Sequence, residues 1–350
     1  MNRPATVSDS APAAGVDPVN LSAPGVRAGR GPWATAVRRL SRNRSAVVSV
    51  IVLCIIMVLS ALAPLYADLA GSDPFRSNLG GSITLNGTSV PVMQPSTTGL
   101  GLGVTPIGPT WTTAYMLGAD NQGRDVAARL LYGGRNSLFI AGAATVICLT
   151  LASLIGVVAG FAGGVVDMVL SRILDVLWAF PVYLLAISLS IVLLNSSFAI
   201  GPFTITAGSL VLPIGIIGVI YVPYVARPIR SKVLTLRQSE FVLAAIGLGM
   251  PTRRILLRDI LPNVVPTLIV FVPILLALAI VTESALSFLS IGVQPPDASW
   301  GTIIQDGQTL LYSRPVVALA PGIAIVITVL ALNVLGDCMR DALDPRFKLG

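Results

Sequence analysis

The sequence predicts an all-α membrane protein with six transmembrane helices and both ends of the chain in the cytoplasm. Three observations predict it: a composition too apolar for a soluble core, uncharged stretches of bilayer-spanning length, and a one-sided distribution of Lys and Arg. Of 350 residues, 54% are hydrophobic and 11% are charged, with mean hydropathy +0.83. A soluble fold with that content would wear a greasy exterior, and lipid is the natural solvent for it. Basic residues outnumber acidic ones 23 to 16, but they lie in short clusters between long uncharged runs. That pattern sets membrane orientation and excludes a nucleic-acid-binding face. Cys54, Cys148 and Cys338 are too scattered for a disulfide framework or metal cluster and read as packing residues. The chain has no histidine, so the commonest general base and metal ligand are missing.

The elements follow in order. Residues 1–37, rich in Ala, Pro, Gly and Ser, cannot bury enough surface to offset ordering entropy and are expected to form a disordered cytoplasmic tail with no cleaved signal. The first transmembrane segment takes 38–65: Arg38, Arg39, Arg42 and Arg44 precede an uncharged run from Ala46 to Leu65, and about 20 apolar residues cross the hydrocarbon. Residues 66–135, rich in Gly, Pro, Ser, Thr and Asn, form an extracytoplasmic loop with short strands expected around Ile83 to Val92. A five-helix domain fills 136–350. Its first helix is the uncharged run Asn136 to Val166. The uncharged run Val176 to Ala226 is too long for one helix, and the turn-prone Asn195-Ser196-Ser197 and Gly201-Pro202 divide it into two. Val264 to Ile291, interrupted only by Glu283, and Pro315 to Gly336 complete the six.

Orientation follows from the charges. With the amino terminus inside, only Arg76, Arg124, Arg129, Arg135 and Arg314 of the 23 basic residues fall outside, a clear positive-inside bias.

The cytoplasmic loop 227–261 is neither tail-like in composition nor long enough to be a domain. Glu240 to Leu248 is a short apolar segment exposed on the cytosolic side, ended by Gly249, Met250 and Pro251. Thr252 to Leu261 reads as a second short helix carrying Arg253, Arg254 and Arg258. One reading is an amphipathic helix lying on lipid headgroups. The other is a docking element whose small residues, Ala244, Ala245 and Gly249, admit a partner's backbone.

Three segments together resemble the permease subunits of ABC importers for dipeptides and oligopeptides, specifically the second of the two unlike permeases. Leu243-Ala244-Ala245 with Gly249 and Leu261-Pro262 is similar in spacing to the family's cytoplasmic coupling loop, with Leu243 where the family usually has Glu and Glu240 one turn earlier. Gly118 to Arg135 is similar to the signature before the second span. Pro295-Pro296-Asp297-Ala298-Ser299-Trp300-Gly301, and Leu335-Gly336-Asp337 followed by Leu343-Asp344-Pro345-Arg346, are similar to the carboxyl-terminal signatures. The resemblance covers most of the chain from Arg38 onward. It implies a type I importer permease fold in the bacterial inner membrane, paired with a second permease. Glu240, Leu243, Ala244, Ala245, Gly249 and Pro262 would couple to cytosolic ATPase subunits, which hold the ATP and Mg. An extracytoplasmic substrate-binding lipoprotein or periplasmic protein would deliver the peptide. The chain has no Gly-x-x-x-x-Gly-Lys-Ser/Thr phosphate loop, in keeping with a non-enzymatic subunit that needs no cofactor of its own.

Four charged residues are candidates for a pore or subunit contact. Asp120, Arg124 and Asp125, outside the second span, either line the mouth for a zwitterionic peptide or make the turns and ion pairs that hold the loop, and the second is the preferred reading. Glu283 would cost on the order of 3 kcal/mol if it faced lipid charged. It is expected to contact the partner permease or a peptide amino group, the alternative being a hydrogen-bonded structural Glu. Rival functions are the same fold importing nickel chelates or oligosaccharides, and an ion-coupled secondary transporter, which would show intramembrane charge relays.

Overall fold

The computed structural model describes residues 32–343, except 86, 97–102, 195–197, 201–202 and 206–208. The expected tail up to residue 31, the turn residues Asn195 to Ser197 and Gly201-Pro202, and the signature residues Asp344 to Arg346 lie outside the described residues. On the amino-terminal side, α1 (Pro32–Arg42), α2 (Arg44–Ala61) and α3 (Ala63–Ala70) lead to two small antiparallel hairpins, β1 (Ser82–Leu85) with β2 (Thr88–Pro91) and β3 (Met93–Pro95) with β4 (Val104–Pro106). Next come α4 (Val126–Ala162), α5 (Gly164–Ala179) and α6 (Val182–Leu194), a short hairpin of β5 (Phe198–Ile200) and β6 (Phe203–Ile205), then α7 (Val211–Ile220) and α8 (Val222–Arg237). After α9 (Glu240–Gly247), α10 (Thr252–Arg254) passes through a π-helical stretch, Ile255–Ile260, into α11 (Leu261–Phe288). Finally α12 (Trp300–Gly307) precedes α13 (Val316–Leu343).

Four helical stretches are long and apolar enough to cross a bilayer: Arg44–Ala61, Val126–Ala162, Thr252–Phe288 and Val316–Leu343. Two further pairs qualify when joined, α5 with α6 at a bend of 90° and α7 with α8 at a bend of 41°. With each bent pair as one span the count is six. The 90° bend falls at Phe180-Pro181, between the two helices, where proline removes a backbone donor and restricts the residue before it.

Several boundaries differ from the sequence expectation, each for a local reason. Helix α1 starts at Pro32, inside the expected tail, and it ends where the Asn43 side chain accepts from Ser45 N at 2.9 Å and Ala46 N at 3.3 Å, capping α2. Helix α4 starts at Val126, ten residues before the uncharged run. Its cap is Asp125, whose Oδ1 accepts from Ala127 N and Ala128 N at 2.8 and 3.2 Å. The uncharged run marks only the part of α4 that lipid tolerates, whereas the cap marks where the helix begins. The expected second short helix, Thr252 to Leu261, is no separate element, because the π-helical stretch joins it directly to α11.

Helix α4 is the hub of the bundle, packed on α8, α11, α7 and α2. It approaches α8 at backbone distance: a Cβ on Gly156 would stand 2.7 Å from the Ala226 carbonyl oxygen, and one on Gly160 2.8 Å from that of Arg230. Small residues at such crossings let membrane helices gain dispersion contacts where no hydrophobic force separates protein from lipid. Gly163 and Gly164, which share their spacing, take φ of +69° and +55° and instead end α4 and turn the chain into α5. Helix α1 packs on α13, so the first and last described helices meet on the same side of the membrane.

Candidate functional site

The cytoplasmic site is α9. It hangs between α8 and the π-helical stretch, in contact with both. Its sequence, Glu-Phe-Val-Leu-Ala-Ala-Ile-Gly, is apolar after Glu240, yet only Val242 and Ala245, three residues apart, are buried. Those two anchor one face to the bundle. The rest of the helix surface and its C-cap expose Phe241, Leu243, Ile246 and Leu248, the last two 53% and 79% exposed. Ala244 is exposed beside them, as is Glu240 in the first turn. Ala245, expected on the partner-facing side, is instead an anchor.

The helix is closed by a Schellman motif. Met250 N donates to Ala245 O at 3.1 Å and Gly249 N to Ile246 O at 2.9 Å, with Gly249 at φ +71°. No atom lies within 4 Å of the place a Gly249 Cβ would take; the requirement is therefore backbone conformation, which glycine meets at no steric cost. Pro262 is exposed in the first turn of α11, beyond the π-helical stretch, and does not belong to the α9 face.

Helix α8, which feeds α9, is tied to α5 by two ion pairs. Arg230 grips both oxygens of Asp167, Nη2 at 2.6 Å, and Arg227 Nη2 donates to Asp175 Oδ1 at 2.8 Å while its guanidinium lies 5.1 Å from the Trp178 ring centroid.

On the outer side, Asp120, Arg124 and Asp125 are buried and fully engaged. Arg124 Nε donates to Asp120 Oδ2 at 2.7 Å and its Nη2 to Asp306 Oδ2 at 2.8 Å, where Arg129 Nη2 joins at 3.0 Å. Asp125 Oδ2 accepts from Tyr115 N at 2.9 Å and from the Ser72 hydroxyl at 3.3 Å while Oδ1 caps α4. Burial pushes the Asp125 carboxyl above its ordinary range against the pull of those donors, and pushes Asp306 up against its two arginines. Tyr66, whose hydroxyl donates to Thr113 O at 2.8 Å, is pushed up to about 12 by burial and by the Asp125 charge. This cluster clamps the loop, α4 and α12 together. These are turns and ion pairs of the kind the preferred reading of the three residues describes.

Glu283 lies fully buried between α11 and α4. Ser137 donates to Oε2 at 2.8 Å and Ser287 to Oε1 at 2.7 Å, with Ser284 at 3.4 Å. The two closer hydroxyls accept in turn, Ser137 from Trp300 N at 3.2 Å and Ser287 from Val293 N at 3.0 Å. Each serine thus bridges the carboxyl group and a backbone N–H, which knots α4, α11 and the start of α12. The expected contact with a partner permease or peptide amino group gives way to the hydrogen-bonded structural role. Sequence reading missed Asp306 and Ser137 because they lie 146 to 182 residues from their partners, whereas Ser287, four residues after Glu283 on the same helix, was within reach of i,i+4 spacing.

Six apolar crossings, internal knots of buried polar groups and an exposed apolar helix on the cytoplasmic side define a multi-pass membrane protein. Residues 152–349 match the binding-protein-dependent transport system inner membrane component family, and 31–80 match the N-terminal TM domain of oligopeptide transport permease C. The chain belongs to the binding-protein-dependent transport system inner membrane component family, whose members are type I permeases. It is similar to the dipeptide transport system permease protein DppC of Alkalihalophilus pseudofirmus, with 34% identity over 91% of each chain. It is similar to the oligopeptide transport system permease protein OppC of Bacillus subtilis, with 34% identity over 90% of each. Against OppC of Escherichia coli the identity is 32%, over 91% of this chain and 92% of the relative.

Proposed function

We propose that the chain is one of two permease subunits of an ATP-driven importer of dipeptides or oligopeptides in the bacterial cytoplasmic membrane. A second, unlike permease completes the pore, cytosolic ATPase subunits bind ATP and Mg, and an external binding protein delivers the peptide. The observation that carries this reading is the apolar outer face of α9, displayed to the cytosol on a helix whose other face is anchored. In a membrane family that depends on binding proteins, such a face suits insertion into a cleft of an ATPase.

The proposed mechanism makes and breaks no bond in this chain. Closure of the ATPase pair displaces α9; α8 moves with it, and the Asp167 and Asp175 ion pairs draw α5 along. The spans tilt about the α4–α8 contact to open the pore outward and then inward. The names of the relatives favour peptides over nickel chelates or oligosaccharides. An ion-coupled mechanism is disfavoured because both Glu283 oxygens are engaged by serines of the same subunit.

The test is disulfide trapping in membranes carrying the full complex. A Leu243→Cys variant should form a nucleotide-dependent cross-link to a cysteine placed in the ATPase cleft, and Ala245→Cys, facing the bundle, should not. Equal trapping of both positions, or of neither, would argue against docking through this face.

A further inference from the structure

Arg135 stands on α4 apart from everything used above. It is exposed, and it makes no ion pair among the described residues. Read from the sequence it falls outside, ahead of the uncharged run, but the packing sets it lower. A Cβ on Gly134 would stand 2.5 Å from Ser60 Oγ, so Arg135 lies at the level of Ser60 on α2. Ser60 comes sixteen residues after Arg44, a rise of about 24 Å at roughly 1.5 Å each, less than the hydrocarbon thickness of about 30 Å. A second route is shorter. Asp337, the first charge after the apolar run of α13, follows Gly336, whose Cβ would stand 3.3 Å from Pro273 Cγ. From Pro273 to Glu283 is about 15 Å along α11, and Glu283 is held by Ser137, two residues along from Arg135. Arg44 and Asp337 mark one cytoplasmic level, because their neighbours Asn43 and Cys338 line the same small cavity.

Apolar surface continues outward of that level. Ser72 Oγ donates to Asp125 at 3.3 Å and α3 packs along α4, so the chain climbs beside α4 from Gly134 to Asp125. Leu62, Leu65 and Leu69 are exposed on the way. Arg135 therefore lies within the hydrocarbon layer, and tilt of the spans sets it deeper. An arginine stays charged there, at a cost unless an anion meets it. The chain supplies none: Asp120 and Asp306 hold Arg124 and Arg129, Glu283 is held by serines, and Asp297 makes no ion pair with it. Arg135 also heads a line of positions three and four apart down α4. On it Phe139, Val146, Thr150 and Leu154 are exposed, and the Cβ position of Gly142 is open.

We propose that this face of α4 is the seam with the second permease, and that a carboxylate on a span of that subunit pairs with Arg135. The inference rests on the two-permease reading above and adds where the two subunits meet. The guanidinium fork takes both carboxylate oxygens, and Gly142 leaves a notch through which a facing helix comes close. The charge also selects the partner, since a span without an acid at the matching depth leaves Arg135 unpaired. The competing occupant is the phosphate of an outer-leaflet lipid, reached by extending the side chain outward. The seam is favoured because the exposed line runs on below Arg135 for about five turns, the length of a helix contact, whereas a phosphate would engage the arginine alone.

Affinity purification of the full complex through this chain tests it, with the co-purified second permease as the readout. Arg135→Glu should lower its amount at least about tenfold and Arg135→Gln about fivefold, whereas Arg135→Lys should lower it less than about twofold. A photoreactive benzoylphenylalanine in place of Phe139 should label the second permease and so name the facing span. Changing the acid of that span to Arg should then restore the complex with R135E. Parental amounts of the second permease with R135E overturn the seam and leave the importer reading standing. A parent chain that retains no second permease overturns both. Label from position 139 on phospholipid and not on the second permease assigns Arg135 to a headgroup and rejects the seam. Should R135E fail to insert, the label in the otherwise parental complex decides: on the second permease it supports the seam, and its absence there overturns it.

Discussion

Glu283 shows why a buried charge is best read through its donors. The hydroxyls of Ser137 and Ser287 donate to its carboxyl oxygens while each also accepts a backbone N–H group. Glu283→Gln sets an amide donor against one of them, and we expect a cost of about 1–3 kcal/mol, read as a lower melting temperature in detergent. Parental stability would mean that the knot is not formed. Arg124→Ala leaves Asp120 buried without its closest cation, at about 3–5 kcal/mol, measurable in the same assay. Asp125 makes a prediction with pH. Its carboxyl is raised by burial, so its contribution to stability is complete below the ordinary value of 3.8 and is lost as pH rises through the higher folded value. Lowering the pH through the folded value toward 3.8 should therefore stabilise the parent chain relative to Asp125→Asn, and a relative loss would contradict the assignment.

At the scale of elements, the sequence makes the spans legible because bilayer thickness imposes a length on uncharged runs. It makes α9 legible as a short apolar segment among cytoplasmic charges, ended by Gly249, Met250 and Pro251. Helix starts were less legible: α4 begins at Asp125, a cap hidden within a loop-like stretch, and α10 fuses to α11 through a π-helical stretch that no periodicity announces. The faces of α9 were illegible, because a helix apolar after its first residue does not say which side is anchored. Two substitutions separate those faces. Val242→Asp should destabilise the chain, burying a charge in the bundle, whereas Leu243→Asp should leave stability within about 0.5 kcal/mol and abolish ATP-dependent uptake. Gly160→Ala, with its new Cβ 2.8 Å from the Arg230 carbonyl oxygen, should cost about 1–3 kcal/mol by forcing α4 and α8 apart. Thermal denaturation of the three variants checks the order.

For the whole molecule, the arrangement separates rigidity from motion. The outer end is fixed by buried Asp120, Arg124 and Arg129 with partly exposed Asp306, and by the buried Glu283 knot. The inner end is joined by half-exposed ion pairs of α5 with α8 and carries the exposed α9 face. A permease that is stiff outside and compliant inside is one that an internal engine can drive. Uptake of a labelled dipeptide into proteoliposomes tests this most directly, comparing this chain alone under an ion gradient with the full complex of both permeases, ATPases and binding protein. The account predicts accumulation only in the full complex with ATP on the cytoplasmic side; accumulation by this chain alone on an ion gradient would contradict it.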